Sequence, residues 1–256
     1  MKLDINNEIL ERYKSNSQII RVASEKFVAE NLFCPSCGSE LHEFENNRPV
    51  ADFFCLKCAE EFELKSKQNN LGTKVNDGAY ETMITRISSA NNPNFFFLSY
   101  NAKTYQVNHL FVTPKYFFTP QLIEKRAALR EDARRAGWVG CNILINQLPE
   151  SGKIRYINNG QLEDKSKILH NWQKTIFLKQ QPNNQKGWVL DVMAVIEQLG
   201  QKEFYLRELY AFESYFKKLH PDNQNIQAKI RQQLQFLRDK GYLSFLGNGC
   251  YQLNNY

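Results

Sequence analysis

The chain has 256 residues, of which 42% are hydrophobic and 23% charged, and its formal net charge is +6. This composition indicates a globular protein of one large domain or two ordinary ones, and the absence of a long apolar run excludes a spanning helix. The net charge permits an anionic partner without requiring one. The polar first residues lack the apolar core of a signal peptide, so we expect a cytoplasmic protein.

Two helices are predicted at the start of the chain. Apolar residues recur at helical spacing from residue 5 to residue 31, and the second helix is expected to begin near Ser17 and end before Leu32. Glu25 lies on this second helix. It is either an additional carboxylate for a metal site or a solvated surface residue.

Four of the six cysteines form two Cys-x-x-Cys pairs, Cys34/Cys37 and Cys55/Cys58. In a chain without an export signal this pattern favours a metal over disulfides, and the spacing matches a zinc ribbon with four thiolate ligands. The alternatives are four unrelated reduced cysteines or a redox pair, but a redox pair needs a thioredoxin-like βαβ context that is missing. The remaining two cysteines, Cys141 and Cys250, are expected to be packing residues.

Residues 51–54 and 61–65 alternate as two neighbouring strands, and they carry the candidate catalytic residues. Glu63 and Lys65 share one face of the second strand, and Asp52 is expected to lie across the hairpin. The two carboxylates would bind Mg²⁺, and the lysine would orient or deprotonate the attacking water. The alternative is an exposed strand edge with a surface ion pair. We therefore predict a zinc-pinned hairpin that carries a magnesium site.

The next stretch alternates loops, helices and strands. Residues 66–78 are polar and predict a loop, and the apolar run NFFFLSY predicts a buried central strand. The other predicted elements are a helix at 80–89, a strand at 107–112, a loop at 113–119, a helix at 120–127 and a strand at 154–157.

Residues 133–143 read ARRAGWVGCNI and combine two arginines with a tryptophan. Arg134 and Arg135 suit phosphates, and Trp138 is able to stack on a base or wedge against it. The alternative is a core tryptophan flanked by two surface arginines.

A polar, turn-rich stretch at 180–185 predicts a boundary between domains 1–182 and 183–256. Helical patterns at 188–199, 206–219 and 225–240, followed by a hairpin, indicate a winged helix-turn-helix. The third helix exposes polar and basic residues of the types that read base edges, although a winged helix that binds protein is the alternative. The candidate DNA-binding residues here are Asn225, Lys229, Arg231, Gln232 and Gln235, with Arg238 on the same face.

Several segments together make the chain resemble the DpnI-like family of methyl-directed (type IIM) restriction endonucleases. The resemblance spans nearly the full chain and is carried by ENNRPVADFFC, EEFELKSK, NDGAYETM, NNPNFFFL, ARRAGWVGCNI and IRQQLQFLRDK. It implies an α/β (α+β) PD-(D/E)XK nuclease domain with an inserted zinc ribbon, followed by an all-α winged helix-turn-helix domain. One departure is that Val50 and Ala51 separate Pro49 from Asp52, but the carboxylate chemistry does not need the proline.

The resemblance also implies a function. A bacterial enzyme of this family cleaves GATC duplexes whose adenines are methylated, with Asp52, Glu63 and Lys65 as the catalytic residues. The family assigns the four cysteines to zinc, Trp138 to the methylated bases, and the C-terminal helix to a second recognition of the same site. No membrane and no obligate protein partner are expected. The rival hypotheses are a zinc-containing winged-helix regulator without nuclease activity, and a nuclease for RNA or damaged DNA.

Overall fold

The computed structural model describes residues 1–45, 51–89, 92–181 and 183–254. They form two compact units, of which the first comprises Met1–Asn146 and Ser151–Thr175 and the second Gln147–Glu150 and Ile176–Tyr256. Within these described ranges no helix is long and apolar enough to cross a membrane. Pro49 and Val50, part of the predicted proline–aspartate element, lie outside the described residues.

The first unit mixes helices and strands. Its helices are α1 (Asn7–Arg12), α2 (Asn16–Asn31), α3 (Tyr80–Ile87) and α4 (Lys165–Thr175). Its strands are β1 (His42–Glu43), β2 (Phe53–Phe54), β3 (Glu61–Gln68), β4 (Val75–Ala79), β5 (Asn94–Tyr100), β6 (Val107–Thr113), β7 (Ile123–Lys125), β8 (Gly140–Ile143), β9 (Ile154–Asn158) and β10 (Gln161–Leu162).

The larger sheet of this unit has the strand order β1-β2-β3-β5-β6-β9-β10 in the part of the chain that the structure describes. β3 and β5 are parallel, whereas the other neighbouring pairs are antiparallel. All seven residues of β5 are buried, so the prediction of a central strand at 94–100 is confirmed. β5 lies beside β3, and this pairing fixes the strand that carries the candidate catalytic residues.

One face of β3 packs in the hydrophobic core, and the other face carries the charged candidate residues. On one face Phe62 stacks on Phe96 with ring centroids 5.1 Å apart, and Trp172 of α4 packs against Phe62. Trp172 and Phe62 are fully buried, which makes this face part of the hydrophobic core. Because side chains alternate along a strand, the odd-numbered residues Glu63 and Lys65 point away from this core.

The smaller sheet of the first unit has the order β4-β8-β7, and it corrects two predictions. The predicted loop at 66–78 is too long, because β3 continues to Gln68 beside Tyr100 and β4 begins at Val75, which leaves residues 69–74 as the loop. The predicted helix at 120–127 is wrong, since a short 3₁₀ turn at Pro120–Leu122 leads directly into β7. In both cases pairing with a distant strand outweighs the local sequence preference.

The second unit contains α5 (Asn183–Gln198), α6 (Leu206–Tyr210), α7 (Glu213–Leu219) and α8 (Ile226–Asp239). Its strands β11 (Glu203–Tyr205), β12 (Leu243–Gly247) and β13 (Cys250–Leu253) form a sheet of order β11-β13-β12. The predicted hairpin after the third helix is confirmed as β12 and β13, and β11 adds a third strand, so the term all-α is too narrow for this domain. The single helix predicted at 206–219 is two helices, because Phe212 leaves the helical conformation between them.

The helices of the second unit enclose their own core. Trp188 of α5 stacks on Phe216 of α7, and Ile230 and Leu234 of α8 are fully buried. The apolar stripe predicted for the third helix is confirmed, because it faces this core. The opposite face of α8 is exposed and polar.

Candidate functional site

The four predicted metal-binding cysteines meet in the structure. The Sγ atoms of Cys34 and Cys58 are 3.4 Å apart, as are those of Cys37 and Cys55, and all four lie within 4.8 Å of one another. A Zn–S bond of about 2.3 Å requires Sγ atoms about 3.8 Å apart in a tetrahedron, which is close to this arrangement. The cluster is therefore able to hold a metal such as zinc.

Two equivalent turns position these thiols. Cys34 receives a backbone hydrogen bond from Gly38 and donates one to Ser39, and Cys55 makes the same two bonds with Ala59 and Glu60. Gly38 and Ala59 both have positive φ angles, +75° and +55°, which close each turn tightly. Two copies of one turn thus face each other across the cluster.

The second cysteine turn connects β2 to β3, so the cluster lies beside the candidate catalytic residues. Phe53 pairs with Phe62 in this hairpin, and Asp52 directly precedes this pair. The backbone N–H of Asp52 donates to the Phe62 carbonyl at 2.9 Å, and the Leu64 N–H donates to Asp52 Oδ2 at 2.7 Å. The backbone of β3 therefore holds the carboxylate of Asp52 in place.

Charged groups surround Glu63 and Lys65 on the outer face of β3. The Nζ atom of Lys65 lies 2.5 Å from Glu63 Oε1 and also forms an ion pair with Asp77 of β4. Arg86 of α3 donates to Glu63 Oε2 at 2.9 Å. Side-chain exposure is 8% for Asp77 and 16% for Glu63 and Lys65, so these ion pairs are largely withdrawn from water.

Burial and charge together shift the pKa values of two of these groups. Burial raises the pKa of Asp52 to about 6, the Leu64 N–H opposes the rise, and the negative charges of Glu25 and Glu63 add to it. For Lys65 burial lowers the pKa, but the carboxylates of Glu63 and Asp77 outweigh burial, so the pKa is raised. The site thus concentrates negative charge near Asp52 and keeps Lys65 cationic.

Glu25 lies near Asp52. It lines a groove that also contains Arg12, Arg21 and Asp52, and it accepts a hydrogen bond from Arg21 at 2.7 Å. Its side chain is 16% exposed, so it is not a fully solvated residue of the α2 surface. The groove therefore brings a third carboxylate close to the hairpin.

The arginine- and tryptophan-containing segment extends from the small sheet, between β7 and β8. Trp138 is half-buried and Arg135 lies over its ring, with the guanidinium carbon 4.5 Å from the ring centroid. A Cβ atom built on Gly140 would come within 2.8 Å of the Trp138 ring. Arg134 and Arg135 are exposed. Trp138 therefore rests on the backbone of Gly140 instead of entering the core.

The candidate DNA-binding residues of the second unit lie on and beside the outer face of α8. Arg231 donates to the hydroxyl of Tyr210 at 2.6 Å, and Lys229 donates to Gln232 at 2.8 Å. Asn225, Arg231, Gln232, Gln235 and Arg238 are exposed, and Lys229 is half-exposed.

The comparison with known families decides the class of protein. The sequence model of DpnI, described as the Dam-replacing family, matches residues 1–181, and that of the Dam-replacing HTH domain matches residues 184–253. The chain belongs to the Dam-replacing family. The predicted resemblance is thereby confirmed. Membership supports a restriction-type function that a nuclease carries out, with DNA binding by the C-terminal helix-turn-helix domain.

Two charged residues that form ion pairs with Lys65 and Glu63 were not predicted as site residues from the sequence. Asp77 was assigned to a loop, and Arg86 was treated only as part of a helix. The available signal was that Val75, Asp77 and Ala79 would share one face of a strand. Five residues that include a glycine, however, predict a strand only weakly.

Proposed function

We propose that this protein is a Mg²⁺-dependent type II restriction endonuclease that cleaves double-stranded DNA at GATC sites carrying methylated adenine. Its N-terminal domain, residues 1–182, would have the PD-(D/E)XK fold, and residues 183–256 would form the winged-helix domain. The observation that carries the proposal is the pairing of β2 with β3, which supports a site made of Asp52, directly before β2, and of Glu63 and Lys65 on the outer face of β3. Family membership supports the restriction function. The resemblance is the basis for proposing GATC as the recognition sequence and methylated adenine as the required base.

The donor set fits a magnesium ion. Mg²⁺ prefers carboxylate oxygens, and Asp52 and Glu63 offer them from adjacent strands. The raised pKa of Asp52 reflects burial and the nearby charges of Glu25 and Glu63, a combination that a divalent cation would relieve. When bound, the ion would activate water and neutralise charge on the scissile phosphate. Glu25 is an additional candidate ligand because it lines the same groove as Asp52.

The remaining tasks belong to groups of the chain itself. Lys65 would orient the attacking water through Nζ and offset the negative charge that develops on the phosphate. Arg86 would hold the second oxygen of Glu63, so that the carboxylate keeps one orientation. The backbone N–H of Leu64 would do the same for Asp52.

Zinc in the four-cysteine cluster would have a structural role. It would close the hairpin at the turn between β2 and β3, since four thiolates leave no open coordination position for catalysis. Reduced thiols suit the bacterial cytoplasm, where we place the enzyme and its DNA.

Two surfaces would recognise the duplex. Arg134 and Arg135 would contact phosphates while Trp138 lies against the methylated base, because its half-buried ring offers an apolar wall. The face of α8 would check the same sequence independently. The residues that we assign to this second surface are Asn225, Lys229, Arg231, Gln232 and Gln235.

A digest of one plasmid in adenine-methylated and unmethylated forms, with and without added Mg²⁺, tests the proposal. We expect cutting only of the methylated plasmid, only with Mg²⁺, and only at GATC. Lys65→Ala should abolish cutting while leaving duplex binding largely intact. Binding without cutting by the wild-type protein would favour the winged-helix regulator instead.

A further inference from the structure

The ammonium group of Lys65 is held from two sides. Glu63, two residues away on β3, approaches it at 2.5 Å, and Asp77 approaches it from β4, a strand of the other sheet. A lysine side chain has four rotatable carbons, so a single contact leaves its position loosely defined. Two carboxylates on different strands fix it.

Asp77 is itself held firmly. Its residue pairs with Cys141 of β8, its Oδ1 atom accepts a hydrogen bond from the Gly78 N–H at 2.7 Å, and its side chain is 8% exposed. The Oδ2 atom is buried and has no hydrogen-bond partner among the described residues. Leaving a carboxylate oxygen in this condition costs stability, so a structural ion pair alone explains the arrangement poorly.

We propose that Asp77 is a positioning residue for Lys65, an inference that rests on the nuclease function proposed above. Glu63 is shared between Lys65, Arg86 and the proposed cation, so its oxygens are not reserved for the lysine. Asp77 lies on a separate strand and keeps its contact with Nζ whichever of these groups Glu63 binds. It therefore sets the position from which Lys65 meets the attacking water.

The contact between Asp77 and Lys65 also connects β3 to the small sheet. β4 pairs with β8, and the Tyr80 N–H that follows β4 donates to the carbonyl of Val139 at 3.1 Å. Val139 directly follows Trp138. Asp77 thus joins the active-site strand β3 to the sheet from which the tryptophan segment extends.

Steady-state kinetics of Asp77→Asn on methylated duplex test the proposal, since asparagine keeps the shape and the acceptor for Gly78 but loses the charge. Loss of an orienting partner lowers activity by roughly 10- to 100-fold, and we expect this loss in kcat with an unchanged KM. The Mg²⁺ concentration for half-maximal rate should also stay unchanged, because Asp77 acts through Lys65. Asp77→Glu should recover part of kcat.

The matched control is Glu124→Gln, which removes a carboxylate of the same small sheet that pairs with Lys74 at the surface. It should leave kcat unchanged. Wild-type kcat in Asp77→Asn would overturn the proposal, and so would a raised Mg²⁺ requirement, which would make Asp77 a metal ligand. If Asp77→Asn does not fold, as judged by circular dichroism and zinc content, Asp77→Ser replaces it with the same criteria.

Failure of this inference is separable from failure of the proposed function. Asp52→Asn and Lys65→Ala are assayed in parallel, and both should be inactive. Cleavage by either would refute the nuclease assignment of the hairpin. Inactivity of both together with full activity of Asp77→Asn would refute the role of Asp77 alone.

Discussion

At the scale of single residues, Asp52 shows how a proposed catalytic group strains the fold that holds it. It is largely buried near two other carboxylates, and the Leu64 N–H and the charge of Lys65 offset only part of the resulting rise in its pKa. A cation bound as proposed would compensate for this buried charge. Trp138 is a second residue of the proposed site, and its ring is neither buried in the core nor fully solvated.

Asp52→Asn should abolish cleavage yet stabilise the protein when no Mg²⁺ is added. The folded pKa of about 6 lies above the usual 3.8, so folded Asp52 binds its proton more tightly than unfolded Asp52. Stability of the wild type therefore falls as pH rises from about 4 to about 6, by at most about 3 kcal/mol. Urea denaturation at pH 7 should show the variant to be more stable, and the gain should vanish near pH 4. An equal effect at both pH values would contradict the burial argument.

Trp138→Ala should weaken the preference for methylated DNA more than it weakens general duplex binding. Burying one methyl group contributes roughly 1 kcal/mol, which is about a fivefold preference per methyl. Gly140→Ala is the companion variant, because its Cβ would displace the ring without removing it. Cleavage and binding are compared on methylated, hemimethylated and bare duplexes. Unchanged methyl preference in both variants would place the methyl recognition elsewhere.

At the scale of elements, the sequence predicted well the segments whose signal is local. The two Cys-x-x-Cys turns, the buried strand 94–100 and the amphipathic helix α8 are all present. The expected proximity of Asp52 and Glu63 could be inferred from the sequence because one short hairpin connects the two residues. The contact between Lys65 and Asp77 could not be inferred from the sequence in the same way. β3 and β4 belong to different sheets, so only the tertiary fold brings them together.

The misassignments at 75–78 and 123–127 share one physical cause. Residues 75–79 and 123–125 are short strands whose partner, β8, begins at residue 140. Local polarity and proline placement favour a loop and a helix there, whereas the ladder with β8 satisfies the backbone hydrogen bonds. No local pattern reveals that pairing. The helix at 165–175, which was not predicted, supplies the core residue Trp172.

Replacing Cys34 or Cys55 with serine should remove the metal and destabilise the hairpin, because metal binding there is also folding energy. Elemental analysis of the wild type should find about one zinc per chain. The control is Cys250→Ser, which changes a cysteine outside the cluster and should keep both zinc and activity. A folded, active protein without zinc would contradict this role of the cluster.

At the scale of the whole molecule, the two compact units have separate cores. The C-terminal core contains Trp188, Phe204, Phe216 and Leu234, all buried. Phe177 packs near Phe236 and Tyr242, so the compact unit with the C-terminal core includes residue 177. A fragment of residues 176–256 should therefore fold by itself and be more stable than 183–256.

The isolated fragment 176–256 should bind duplex DNA with an affinity that falls as salt increases, because we propose that basic residues of α8 contact phosphates. Lys229→Ala should weaken binding to all sequences and lower the salt slope by about 1, whereas Gln235→Ala should change sequence preference and leave the slope unchanged. The distinction follows from chemistry, since an ammonium pairs with phosphate while an amide reads an adenine edge. Fluorescence anisotropy on methylated GATC and scrambled duplexes at several salt concentrations separates the two effects. A folded fragment without affinity for any duplex would favour a winged helix that binds protein, and recognition of the site would then rest on the N-terminal unit.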